Sequence, residues 1–116
     1  QRLNDYTKII SSGEFEQLNS IFSDHIVRFH SVNNISVNDI TNEAKNYLKK
    51  WTIVSETFES IEEVSEYEYN YSKTYTITRN KDNKEFNYKI RGYVKFDTNG
   101  KIVELVDSST EKIKNN

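Results

Sequence analysis

Apolar residues recur at spacings of three and four along the first fifty positions. Leu3, Tyr6, Ile9 and Ile10 mark one face of a helix, and Ser11, Ser12 and Gly13 stop it. Phe15, Leu18, Ile21 and Phe22 form the stripe of a second, short helix. A third begins at Ser36, where Ser36 and Asp39 have capping-box spacing. Its stripe is Val37, Ile40, Ala44, Tyr47, Leu48 and Trp51. Between the second and third helices, Ile26, Val27 and Phe29 make Asp24 to His30 a short strand, followed by a polar loop over Ser31–Asn34.

From Thr52 the period changes from 3.6 to 2. Tyr67, Tyr69, Tyr71, Tyr75 and Ile77 fall on one face of a long strand, with Thr74, Thr76 and Thr78 on the other. Phe86, Tyr88, Ile90, Val94 and Phe96 alternate in the same way on the next. Asn80 to Lys84 reads as a polar hairpin loop and Asp97 to Gly100 as a tighter turn. A last strand carries Ile102, Val103, Leu105 and Val106. The order α-α-β-α-β-β-β-β over residues 1–116 predicts a single α+β domain. Its expected core is Phe15, Leu18, Phe22, Ile40, Ala44, Leu48, Trp51, Ile90, Val94 and Leu105.

Only 34% of the residues are hydrophobic, but eight Tyr, six Phe and one Trp each bury a large area, so a thin core suffices. Sixteen basic against eighteen acidic residues argue against a footprint for nucleic acid or a polybasic membrane patch, and no apolar run is long enough for a transmembrane helix. Without Cys there are no disulfides, thiol nucleophiles or thiolate metal sites. Two His five residues apart make no zinc framework, and Gly at 13, 92 and 100 makes no phosphate loop. No metal or cofactor is therefore expected. Charge is nevertheless segregated. Residues 52–72 hold six Glu and no base, whereas residues 73–116 hold ten Lys or Arg against six acids. Glu facing Lys across neighbouring strands is the simplest use of that pattern.

Three segments resemble the nuclear-transport-factor-2-like superfamily, which includes ketosteroid isomerases and SnoaL-like polyketide cyclases. They are Tyr6 seven residues before Gly13, which Glu14 follows, the run Ile21–His30 (IFSDHIVRFH), and Gly92–Leu105 (GYVKFDTNGKIVEL). The resemblance implies a cone, with three N-terminal helices packed on the concave face of a strongly bent antiparallel sheet. It places Tyr6 where the isomerases hold a donor to the substrate oxygen, and His30 where they hold the proton-moving carboxylate. Their protonated acid corresponds to Gly92, which has no side chain to donate.

A pocket is expected between the first two helices and the sheet, lined by Tyr6, Phe22, His30, Trp51, Tyr88 and Asp107. Two functions follow. One is a non-catalytic domain that binds a small apolar ligand or a protein, favoured by the missing donor at Gly92. The alternative is a SnoaL-like isomerase, cyclase or dehydratase acting on a small apolar carbonyl compound. There His30 is the general base, Tyr6 the donor, and Asp107 an orienting group or second acid. A homodimer through the sheet face bearing Thr74, Thr76, Thr78 and Tyr93 is expected as well. The chain has no Met and opens at Gln1 without a leader-like segment, so the expectation is a removed leader or a module of a larger exported bacterial protein, periplasmic or secreted.

Overall fold

The computed structural model describes residues 2–113, apart from the side chain of Arg2. Helix α1 (Arg2–Ser12) is followed by a 3-10 helix (Phe15–Ser20), strands β1 (Ile26–Phe29) and β2 (Val32–Ile35), and helix α2 (Val37–Lys50). Four long strands follow: β3 (Trp51–Ser65), β4 (Glu68–Arg79), β5 (Glu85–Phe96) and β6 (Ile102–Ile113). With β1 and β2 they form, among the described residues, one open six-stranded sheet in the order β2-β1-β6-β5-β4-β3.

The predicted α+β architecture holds, with three corrections of detail. First, the second helix is a 3-10 turn. Ile21 and Phe22 both donate their amides to Leu18 O. The chain is then drawn alongside β6, where Ile102 N donates to Ile21 O and Ser23 N donates to Ile102 O. An α-helix has no room to continue.

Second, the sheet is mixed. The chain enters beside β6 running in the same direction, so β1 pairs with β6 in parallel through Arg28↔Glu104 and Phe29↔Leu105. Every other ladder is antiparallel.

Third, the predicted loop after His30 contains β2. Its Val32, Asn33 and Asn34 are exposed, and only Ile35 is buried. An edge strand open on both faces has no hydrophobic alternation to reveal it.

Local chemistry explains the remaining boundaries. Gly13 ends α1 at φ +79°, a region open to glycine at little cost, and its amide donates to Ile9 O. At the start of α2, Ser36 Oγ accepts from Asp39 N at 3.3 Å, and Ser36 N donates to Asp39 Oδ2 at 3.0 Å. The capping box read in the sequence is therefore formed, and such caps contribute ~1 kcal/mol. Strand β3 shifts register near Ile53/Ser55, Phe58/Ser60 and Glu63/Ser65. Bulges bend a strand and blunt a sheet edge against further pairing, and β3 is an edge.

The two helices and the 3-10 turn cover one face of the sheet. The core joins Leu3, Ile9 and Ile10 of α1 to Leu18, Phe22, Ile40, Val94 and Leu105. Phe15 and Ala44 pack on its margin. Leu48 and Trp51, expected in the core, are only half-buried because α2 ends at Lys50 near the margin of the sheet. No helix described is long and apolar enough to cross a membrane.

Candidate functional site

Between the helices and the sheet lies a cavity of about 270 Å³. Its walls are largely aliphatic and aromatic: Ile10, Phe29, Ile40, Ala44, Ile53 and Ile90. Polar groups converge on it from five elements. Tyr6 comes from α1, Glu43 and Tyr47 from α2, Glu56 from β3, Lys73 and Tyr75 from β4, and Asp107 from β6. His30 enters from the β1–β2 turn.

Of the residues expected from the sequence, Tyr6, His30 and Asp107 line this cavity. Phe22 lies behind the wall, 0% exposed, in edge-to-face contact with Tyr6 (5.6 Å between centroids) and Phe29 (6.0 Å). Trp51 and Tyr88 are elsewhere. Trp51 stacks on Tyr47 at the far end of α2, and Tyr88 pairs in register with Tyr75 and Lys112.

The centre of the site is Lys73, which the sequence reading passed over. Its Nζ lies 2.6 Å from Glu56 Oε2 and 3.6 Å from Asp107 Oδ1. The Lys73 and Glu56 side chains are only 7% and 8% exposed, and that of Asp107 is 24% exposed. Three rings, Phe58, Tyr71 and Tyr75, surround the ammonium with centroids 5.6–5.7 Å away. Cation–π attraction of this kind strengthens where water is excluded.

Asp107 ties the other groups together. Its Oδ1 accepts the Tyr71 hydroxyl at 2.6 Å, and that hydroxyl also lies 3.1 Å from Val106 O. The Tyr71 ring reaches this position by crossing directly over Gly92. A Cβ there would run into the ring, the hydroxyl and the Val106 carbonyl. Gly92 therefore serves close approach, and the cavity takes its positive charge from Lys73.

His30 is held in a tight turn at φ +54°, an uncommon conformation for a residue with a side chain. Its amide donates to Leu105 O at 2.7 Å, and its ring sits edge-on to Phe29 at 4.4 Å. Nδ1 accepts the Asp107 amide at 3.3 Å and lies 3.8 Å from Asp107 Oδ2. Burial lowers the imidazole pKa, Asp107 opposes the shift, and Lys73 adds to it. The ring is thus neutral at pH 7 with its proton on Nε2. Burial also pushes the Tyr6 phenol well up, aided by Glu56 and Asp107, so Tyr6 keeps its proton and can donate it in a hydrogen bond.

Lys73 had a visible signal. It stands between Tyr71 and Tyr75 at the inward parity of β4, the charged member of an aromatic row. Glu56 had none, because the bulges of β3 break the alternation that would have oriented it. Among the described residues no group of three or more His, Cys, Asp or Glu is placed to hold a metal ion.

No protein-family model matches the chain, and no curated protein sequence does. Solved structures do. An NTF2-like protein of unknown function from Exiguobacterium sp. 255-15 aligns with a TM-score of 0.75 at 15% identity, over 92% of this chain and 96% of that one. An LEH-like epoxide hydrolase from M. tuberculosis gives 0.71 at 10% identity, over 91% and 74%. A SnoaL-like polyketide cyclase from Agrobacterium tumefaciens gives 0.71 at 11%, over 97% and 89%. At such identities the likeness is one of architecture. The sheet order, the N-terminal helices and these alignments together give the chain the nuclear-transport-factor-2-like cone fold.

Proposed function

We propose that the cavity is the active site of a small acid–base enzyme. Its substrate is a small, largely apolar molecule with one polarisable oxygen, as in a carbonyl compound or an epoxide. The observation that carries this reading is Lys73, held between Glu56 and Asp107 at the wall of an apolar cavity. Taking each ion out of water costs several kcal/mol, and apolar residues of the same volume would serve a core as well or better. Facing a cavity, the ammonium has a use. A fixed cation in a water-poor site stabilises negative charge developing on a substrate oxygen, which is commonly the largest catalytic contribution.

The roles follow from the hydrogen bonds. The Lys73 ammonium and the Tyr6 hydroxyl bind the oxygen. Asp107 is the base, through Oδ2, the carboxylate oxygen that Tyr71 does not engage. The Nδ1 lone pair of His30 is occupied by the Asp107 amide, so His30 donates from Nε2 instead of abstracting a proton. This moves the base expected at His30 to Asp107, and the donor missing at Gly92 to Lys73. The volume lies just below the ~300–1,000 Å³ of typical small-molecule pockets, which points to a compact substrate. Similar folds named as cyclases and an epoxide hydrolase support the class of reaction.

A second reading, ligand binding without turnover, is favoured by one observation. Among the described residues no buried side-chain nitrogen or oxygen lacks a hydrogen-bond partner, so the charged groups already satisfy one another. Screening small ketones, enones and epoxides separates the two. Turnover that falls ~10²-fold or more in Asp107→Asn supports the enzyme. Calorimetric binding lost in Tyr6→Phe or Lys73→Met, with no turnover, supports the binding domain. A chain that neither binds nor converts any of them refutes both.

The sheet face opposite the cavity carries Thr74, Thr76, Thr78 and Tyr93, and we propose that two copies pair through it. Sedimentation that stays at the 13.7 kDa monomer through high micromolar concentration would remove the dimer.

A further inference from the structure

At the end of the sheet where β3 begins and β4 and β6 finish, cations gather around one ring. Arg79 Cζ lies 5.5 Å, Lys84 Nζ 5.4 Å and Lys112 Nζ 5.0 Å from the centroid of Phe86. Asp82 neutralises Arg79 through two hydrogen bonds of 3.1 and 2.7 Å. Lys84 and Lys112 are exposed and, among the described residues, form no ion pair. Both ammonium groups lie within about a Debye length of each other, ~8–10 Å, so they repel until an anion arrives.

The patch is rigid and has an aromatic side. Trp51 meets Phe86 edge-on at 5.6 Å and stacks with Tyr47 at 6.4 Å. Asn80 pins the β4–β5 loop to the end of α2. Its side-chain amide donates to Leu48 O and Lys49 O at 3.2 Å each, and its backbone amide donates to Lys50 O at 2.8 Å. Exposed Lys49 and Lys50 extend the positive surface. The opposite end of the strands carries exposed Glu62, Glu63 and Glu66, and exposed Glu85 and Glu111 flank the patch without pairing with Lys84 or Lys112.

We propose that this basic, aromatic end docks the protein on an anionic lipid surface. Lys84 and Lys112 then meet headgroup phosphates, with Trp51 and Phe86 at headgroup level. Charge complementarity selects an anion, and the grouping of the cations around one ring favours a plane over a strand. The cations form a cluster at one end of the sheet instead of a track along a groove. The Phe86 ring is occupied by its cations and is not offered to a stacking base. Aromatic side chains beside Lys and Arg are the usual composition of a protein's contact with the membrane interface.

The test is co-sedimentation of the full chain with vesicles of phosphatidylcholine alone or mixed with phosphatidylglycerol. Binding is expected only to the anionic vesicles, weakening as salt rises. Lys84→Glu/Lys112→Glu should lower the bound fraction at least about tenfold, with Lys84→Gln/Lys112→Gln intermediate. Lys101→Glu, at the other end of the sheet, should change it little. Circular dichroism and a urea midpoint show that each variant is folded. Unchanged binding in the double variants overturns the proposal, as does binding to neither kind of vesicle. Retention on soluble polyphosphate at the same salt, without vesicle binding, overturns it in favour of an anionic polymer.

Discussion

Replacing Lys73 by Met keeps most of the stem volume and removes the charge, which isolates the electrostatic part of the site. At an effective dielectric of about 20, the attraction is ~6 kcal/mol across the 2.6 Å contact with Glu56 and ~5 kcal/mol across the 3.6 Å contact with Asp107. Desolvation of three ionised groups offsets most of that in the wild type. The variant keeps the desolvation of two carboxylates and loses their partner. Removing one member of a buried pair costs ~3–5 kcal/mol, a large part of the ~5–15 kcal/mol that holds a domain of this size. Urea unfolding followed by circular dichroism should show that loss as a lower midpoint with little change in slope. Glu56→Gln alone should cost less, because Asp107 still faces the ammonium. The double variant Lys73→Met/Glu56→Gln should be no worse than Lys73→Met, a coupling of ~1–3 kcal/mol. A Lys73→Met protein within ~0.5 kcal/mol of wild type, or additive costs in the double variant, would refute the argument that a desolvated ion cluster sits at the cavity wall.

The remaining expectations are smaller. His30 has a lowered native pKa, so below about pH 6.5 the unfolded chain binds its proton more readily than the native one. Stability contributed by neutral His30 is therefore present above that pH and lost as the pH falls; His30→Asn, which tolerates φ +54°, should flatten this acid limb in urea titrations. Gly92→Ala forces a methyl group against Tyr71 and Val106 O and should cost ~1–3 kcal/mol, with Tyr71 displaced from Asp107. Ser36→Ala removes the acceptor for Asp39 N and should lower stability by ~0.5–2 kcal/mol in thermal unfolding without touching the cavity.

Much of the architecture was legible in the chain. The stripe of α2 and its Ser36–Asp39 cap, the stop at Gly13 and the alternation along β4 and β5 each depend on neighbours within one element, and each appears where the pattern puts it. Tyr6, His30 and Asp107 were also nominated, and the structure brings them to one cavity. Where an element is shaped by distant contacts, the pattern failed. The 3-10 turn is cut short by pairing of Ile21 and Ser23 with Ile102, some eighty residues away in sequence. β2 is an exposed edge with no alternation, and the parallel β1–β6 ladder joins residues that no local period connects.

The sequence by itself determined the helical stripes of α1 and α2, the inward faces of β4 and β5, and that thiol chemistry is absent. Those properties are written in side-chain volume, polarity and spacing along the chain. Only the tertiary structure decided that Lys73 of β4, Glu56 of β3 and Asp107 of β6 form one ionic cluster. The bulges of β3 and the register shift at Arg91/Gly92 set which side chains turn inward there. It also decided that Gly92 exists to let Tyr71 pass, a role invisible in composition. Burial converts three ordinary charged residues into a costly and therefore informative group, and burial is a property of the packed chain and not of any segment of it.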